Sequence, residues 1–293
     1  MYETTNTGDV YMEIAREIPQ ARAIAKKWRH DGLSVGFAPT MGYLHSGHRS
    51  LIKRSVSEND KTIVSIFLNP TQFGPGEDLA TYPKDLQADL TLCREVKADL
   101  VFCPGPDAMY PRGSATFVEV GGSLSAGLCG ASRPDLFRGV ATVVTKLLNI
   151  VQPTRAYFGQ KDAQQLAVIK QLAADLDMDV EIISCPTVRE PDGLAKSSRN
   201  SYLTPQQRAA AAVVSRAVLE GERCIAAGER NPTAVTGAMR EIIAAEPLAR
   251  IDYVEVVDAH TMLRPEKLEG HILGALAVFI GTTRLIDNFI LEV

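Results

Sequence analysis

Short apolar runs alternate along the chain with segments of helical spacing. Val35-Gly36-Phe37-Ala38, Lys61 to Leu68, Leu100 to Cys103, Ala156-Tyr157-Phe158 and Val180 to Cys185 each read as a buried strand bounded by turn residues. Between them, Lys84 to Lys97, Arg138 to Val151 and Gln164 to about Asp175 have the apolar spacing of helices. Residues 11–30 share it at Ile14, Ile18, Ala21, Ile24, Ala25 and Trp28, with Pro19 expected to break the run in two. Residues 104–137 carry Pro104, Pro106, Pro111, Gly121-Gly122 and Gly130 and read as irregular. Strands alternating with helices predict parallel βαβ units in a doubly wound sheet, an α/β fold.

The pattern changes at Pro186. A polar turn, Arg189-Glu190-Pro191-Asp192-Gly193, follows it, and Thr204-Pro205-Gln206-Gln207 then supplies a helix start. Thr204 serves as N-cap, Pro205 sits in the first turn and Gln207 completes a capping box. Two helices and three strands (Ile251 to Val257, Ala275 to Ile280, Leu285 to Val293) complete a smaller α+β domain. The expected division is therefore 1–186 and 187–293.

The most informative loop follows the first strand. In Pro39-Thr40-Met41-Gly42-Tyr43-Leu44-His45-Ser46-Gly47-His48 a turn on Pro39 and Gly42 leads to a helix over Arg49 to Val56. A helix N-terminus above a sheet edge offers unpaired N–H groups and positive potential to an anion such as phosphate. Two histidines three positions apart can both point at it. Neither a Gly-x-x-x-x-Gly-Lys-Ser/Thr loop nor a complete Gly-x-Gly-x-x-Gly occurs, so phosphate binding would rest on side chains. In doubly wound sheets ligands bind beyond the carboxyl ends of the strands. The loops after Phe37, Leu68 and Cys103 emerge there, which brings His45, His48, Asn69 and Gln72 to one rim.

Composition narrows the class further. A formal net charge of -4 over 293 residues supplies no global basic field for nucleic acid. The cysteines Cys93, Cys103, Cys129, Cys185 and Cys224 form no Cys-x-x-Cys pair, which argues against a disulfide framework and structural zinc. Met1 to Asn6 has neither the basic segment nor the apolar core of a signal peptide. The longest apolar run, Ile272 to Ile280, is shorter than the roughly 20 residues of a membrane-spanning helix. The expectation is a soluble, cytoplasmic protein.

Four segments together resemble the pantothenate synthetase family, within the His-x-Gly-His nucleotidyltransferase superfamily. They are residues 39–48, Asn69-Pro70-Thr71-Gln72-Phe73, Gly159-Gln160-Lys161-Asp162-Ala163-Gln164-Gln165-Leu166, and Lys196-Ser197-Ser198-Arg199-Asn200. The likeness is dense from Val35 to Leu203 and weaker over residues 205–293. It implies an ATP-dependent ligase that joins pantoate to β-alanine through a pantoyl adenylate, releasing AMP and pyrophosphate. A Rossmann-like N-terminal domain, a smaller C-terminal domain closing over ATP, and a homodimer are implied with it.

Carried over by position, His48 is the proton donor, with His45 and Lys161 beside it in catalysis. Met41, Gly42, Tyr43, Leu44, His45, Ser46, Gly47 and His48 embrace ATP. Gly159, Gln160, Lys161, Asp162, Val188, Lys196, Ser197, Ser198 and Arg199 complete the nucleotide site. Gln160 stands where many relatives carry Glu, and Lys196 at a position that varies among them. Gln72 and Gln165 match the pantoate ligands, with Asn69 alongside and Gln72 also near β-alanine. Mg²⁺ is expected with the phosphates, and Asp89 aligns with the candidate carboxylate. Attack of a carboxylate on an α-phosphate is catalysed mainly by positioning and fixed positive groups, and these side chains are of the required types. One rival is a nucleotidylyltransferase of the same superfamily that acts on a phosphorylated substrate. A non-catalytic nucleotide-binding protein is the other.

Overall fold

The central strands of the N-terminal part, at Val35–Thr40, Lys61–Ile66 and Leu100–Phe102, are buried on both faces along their middles, as the continuous apolar runs require. The computed structural model describes residues 12–293; the Met1 to Asn6 segment lies outside them. In chain order the first part contains β1 (Glu13–Ala15), α1 (Ile18–His30), β2 (Val35–Thr40), α2 (Ser46–Glu58), β3 (Lys61–Ile66), α3 (Leu86–Glu95) and β4 (Leu100–Phe102). Three four-residue helical turns follow, α4 (Pro106–Met109), α5 (Ser123–Ala126) and α6 (Cys129–Ser132), in the stretch expected to be irregular. Then come α7 (Leu136–Val151), β5 (Arg155–Gly159), α8 (Ala163–Asp175) and β6 (Glu181–Cys185). The six strands form one parallel sheet in the order β1-β4-β3-β2-β5-β6. Chain order reverses at β2, which puts the topological switch point at its carboxyl end.

Helices α1 and α7 pack on each other and on β2, while α2 packs on β2, β3 and β5. Ile52 of α2 and Leu90 and Cys93 of α3 close over Ala38, Val64 and Val101. Leu51 does the same over Tyr157 and Cys185. These contacts hold α2 rigidly above the switch point, so the loop that feeds it has a fixed base.

Pro19 does not break a helix. It occupies the first turn of α1, where its missing N–H would have had no intrahelical partner, and Gln20 Oε1 accepts the Glu17 N–H at 3.3 Å. The preceding residues are instead the edge strand β1, paired with β4.

The C-terminal part contains α9 (Pro205–Ala210), α10 (Ala212–Ala226), α11 (Pro232–Ala244), β7 (Ala249–Asp258), β8 (His271–Ile280) and β9 (Thr283–Glu292). Thr204 caps α9 as expected: its Oγ1 accepts the Gln207 N–H at 3.3 Å, and Gln207 Oε1 accepts the Thr204 N–H at 3.0 Å. Three helices stand where two were expected, because the first is interrupted at Ala211. The antiparallel sheet β7-β8-β9 buries one face against α10 and α11 through Val214, Val218, Met239, Val254, Leu276 and Phe289. Its other face meets Leu128, Ala163 and Met262.

The chain forms two compact units, and their division is not the single cut at Pro186. One comprises the described residues up to Val120, Asp135–Gln160 and Ile169–Pro186; the other comprises Gly121–Pro134, Lys161–Val168 and Thr187–Val293. The inserted pieces are tied in by Gln164, whose amide donates to Leu124 O and Gly127 O and accepts from Cys129 N at 2.8–3.0 Å. Among the described residues no helix is long and apolar enough to cross a membrane.

Candidate active site

The first unit carries the His-x-Gly-His loop at the end of β2. Thr40 Oγ1 donates to Ser65 O at 2.7 Å and accepts the Gly42 N–H at 3.3 Å, which starts the turn. Gly42 (φ +85°) and Tyr43 (φ +50°) then both enter the left-handed region. For Tyr43 that conformation is disfavoured and needs support from outside the loop. Asp89 of α3 supplies it: one carboxylate oxygen accepts the Tyr43 N–H at 2.9 Å and the other the Leu44 N–H at 2.6 Å.

Asp89 is 3% exposed, and burial pushes its carboxyl up from the ordinary aspartate range while the two amides oppose that shift. Expected as a metal ligand, Asp89 is therefore a strut beneath the loop, with each oxygen already turned to a main-chain donor. Among the described residues no three His, Cys, Asp or Glu side chains gather as a metal cage.

Helix α2 begins at Ser46, three residues earlier than Arg49, because the histidines themselves cap it. His45 is the N-cap, and its Nδ1 accepts the Gly47 N–H at 3.1 Å; His48 Nδ1 accepts the His45 N–H at 3.3 Å. The two rings lie 4.1 Å apart, centroid to centroid. This is a capping box built from two imidazoles. A nitrogen that accepts from a main-chain N–H carries no proton, so in each neutral ring the proton sits on Nε2. The cap thus serves two ends: it starts the helix and fixes two N–H donors at a helix N-terminus, the arrangement an anion requires.

Asn69 and Gln72 belong to a 3-10 turn, Pro70–Gln72, at the end of the neighbouring strand. Asn69 is 1% exposed, and its amide nitrogen donates to Gln72 Oε1 at 3.0 Å and to Gly139 O at 3.2 Å. Its oxygen accepts from Thr71 Oγ1 and Tyr110 Oη, both at 2.9 Å. Both ends of the Asn69 amide are thus engaged inside the protein, where they set the turn. Gln72 Nε2 in turn lies 3.0 Å from Met41 Sδ. Gly139 makes this possible, because a Cβ there would lie 2.2 Å from Thr71 O. Helix α7 packs against the turn only without a side chain at that point. Gly159 ends β5 in the same unit, and Gln160 follows it as the first residue of a 3-10 turn.

The second unit carries Lys161, Asp162 and Gln165, then Val188 and residues 196–199. Lys161 Nζ lies 4.0 Å from Asp162 Oδ2, with the lysine side chain 20% exposed. The buried Gln164 is occupied structurally, which leaves the half-buried Gln165 as the amide of that pair able to meet a ligand. Val188 and Lys196 face each other across a short hairpin, Lys196 N–H donating to Val188 O at 2.9 Å. Lys196 Nζ pairs with Glu190 at 2.6 Å. Ser197 Oγ accepts the Arg199 N–H at 3.3 Å and so opens the turn that follows, in which Ser198 is buried.

Two residues of this unit stand outside the sequence reading. Asp287 and Asn288, at the centre of β9, are 1% and 6% exposed and reach the segments just described. Their signal in the sequence is an acidic and an amide residue set inside Leu285-Ile286 and Phe289-Ile290, an apolar strand where buried polar groups require partners.

Residues 13–290 match the family model of the pantoate-beta-alanine ligases. The chain belongs to that family. It is 53% identical over 282 residues to the pantothenate synthetase of Carboxydothermus hydrogenoformans, covering 96% of this chain and 100% of that one. Identity to the pantothenate synthetase of Moorella thermoacetica is 55% over 282 residues, with 96% and 99% covered. Among solved structures, pantothenate synthetase from Thermus thermophilus superposes with a TM-score of 0.89 at 44% identity, covering 94% of this chain and 98% of that one. A pantoate-beta-alanine ligase from Francisella tularensis, complexed with Beta-gamma ATP and Beta-alanine, gives 0.79 at 39% identity, with 95% and 97% covered. The six-stranded parallel sheet with a smaller antiparallel unit is thus the fold of a known ligase family.

Proposed function

We infer that this chain is an ATP-dependent, AMP-forming ligase that condenses pantoate with β-alanine in two half-reactions. Family membership carries the overall reaction. The histidine capping box is the observation that supports its chemistry, because it sets two imidazoles 4.1 Å apart at a helix N-terminus with their protons on Nε2. In the first half-reaction a pantoate carboxylate oxygen attacks the α-phosphorus of ATP, and the bond to the bridging oxygen of pyrophosphate breaks. In the second, the β-alanine amine attacks the acyl carbonyl, the acyl–phosphate bond breaks, and AMP leaves.

His48 is the proposed hydrogen-bond donor to the reacting phosphate and His45 the second imidazole on the nucleotide. Lys161 offsets charge on the departing pyrophosphate, and Ser197, Ser198 and Arg199 hold the nucleotide. Gln72 and Gln165 suit pantoate, because an amide donates to a carboxylate and accepts from a hydroxyl. Mg²⁺, brought with the ATP phosphates, would supply neutralisation of their charge. It keeps several waters and needs one or two protein carboxylates at most, which fits a site whose Asp89 is already engaged by loop amides. A homodimer, which rests on the family resemblance, and a cytoplasmic setting, which rests on the scattered unpaired cysteines, belong to the same proposal.

The test is product stoichiometry in a mixture of ATP, Mg²⁺, pantoate and β-alanine. One AMP and one pyrophosphate are expected per amide bond formed, and none when pantoate is withheld. ADP as the nucleotide product, or AMP release independent of pantoate, would contradict the reading.

A further inference from the structure

Strand β9 is apolar along its middle except at Asp287 and Asn288. Adjacent strand residues point to opposite faces. Asp287 lies on the face of Leu285 and Phe289, toward the core beneath α10 and α11. Its side chain is fully buried, and its two oxygens take the Arg189 guanidinium at 2.6 and 3.1 Å. Arg189 donates as well to Gly193 O at 3.0 Å, which closes the hairpin that runs from Val188 to Lys196. Asn288, on the opposite face, donates from Nδ2 to Lys161 O at 2.9 Å. Two neighbouring residues of one strand therefore grip both nucleotide segments of this unit.

A buried ion pair is weak as a source of stability, since well-packed apolar side chains do as well or better. Burial alone pushes the Asp287 carboxyl up, against the pull of Arg189 and of the Lys161 charge. Such a pair in an otherwise apolar strand makes sense where it fixes a geometry.

We propose that Asp287 and Asn288 are positioning residues for adenylate formation: Asp287 sets the hairpin bearing Val188 and Lys196, and Asn288 sets the main chain at Lys161. The lysine stem is flexible, so the reach of its ammonium is fixed by where its Cα is held. The hydrogen bond to Lys161 O fixes that point from outside its own turn. The proposal rests on the reading of Lys161 as the group that offsets pyrophosphate charge.

Asn288→Ala is compared with wild type, Lys161→Ala and the double variant in both half-reactions by rapid quench. Asn288→Ala should slow adenylate formation roughly 10- to 100-fold, the scale of a small misplacement. Transfer from preformed pantoyl adenylate should stay within about twofold of wild type, and in the Lys161→Ala background the further loss should also be within about twofold. Should Asn288→Ala fail to fold, Asn288→Ser, small and polar, takes its place. Equal loss in both half-reactions, or a full additional loss in the double variant, would overturn the proposal. If Lys161→Ala itself slows both half-reactions alike, the reading of Lys161 fails first, and the two failures are told apart within one experiment.

Discussion

Lys161→Ala is expected to slow formation of the pantoyl adenylate by roughly 10²–10³-fold, the scale of removing one preorganised donor from developing charge. The same variant, given preformed adenylate, should pass the acyl group to β-alanine close to the wild-type rate. The asymmetry follows from where charge appears. Pyrophosphate departs only in the first half-reaction; in the second the leaving group is AMP, and no β- or γ-phosphate is present. The lysine side chain is 20% exposed and its near acidic neighbour, Asp162, stands at 4.0 Å, so its charge is only loosely compensated before substrate arrives. Rapid-quench measurement of each half-reaction checks this. Equal losses would mean that Lys161 holds the adenylate itself.

His48 has two functions that substitution can separate. Its Nδ1 caps α2 through the His45 N–H, and its Nε2–H is the proposed hydrogen-bond donor to the reacting phosphate. His48→Ala removes both: activity should fall by about 10²–10³-fold, with about 0.5–2 kcal/mol of stability lost with the cap. Glutamine is the ordinary residue at this position of a capping box, and its Oε1 can accept the same N–H. His48→Gln should therefore melt like wild type while remaining as inactive as the alanine variant. Thermal unfolding and steady-state kinetics on the two variants decide the point. Near-normal activity in His48→Gln would show that the cap is all His48 supplies and that its Nε2–H meets no reacting group.

Where the structure was legible in advance, local chemistry decided the outcome. The apolar runs of β2, β3 and β4 are buried on both faces, and the Thr204–Gln207 box starts α9 because its bonds close within four residues. The histidine pair was recognisable as lying between a strand end and a helix for the same reason. Its role as the helix cap was hidden, because imidazoles stand where Ser or Thr and Glu or Gln usually do. Pro19 misled because a proline looks alike as a helix breaker and as a first-turn residue, and only the Glu17–Gln20 contact tells the two apart.

The features that escaped depend on partners far along the chain. Gln164 joins residues 124–129 to the helix that follows Lys161, which no boundary drawn from composition at Pro186 could capture. Asp89 reaches back 46 residues to the loop at Tyr43, and Asn69 forward 70 to Gly139. Asp287 and Asn288 sit 98 and 127 residues from the groups they hold. Residue type marked these positions as polar; the fold alone says what each one grips.

The central claim is that pantoate is activated as an adenylate before the amine takes part. ATP–pyrophosphate exchange tests it most directly: labelled pyrophosphate is mixed with ATP, Mg²⁺ and pantoate, and β-alanine is left out. Label should enter ATP, and only when pantoate is present. Exchange that appears only once β-alanine is added would show that the amine is needed for the first bond to break, and the two-step account would be wrong.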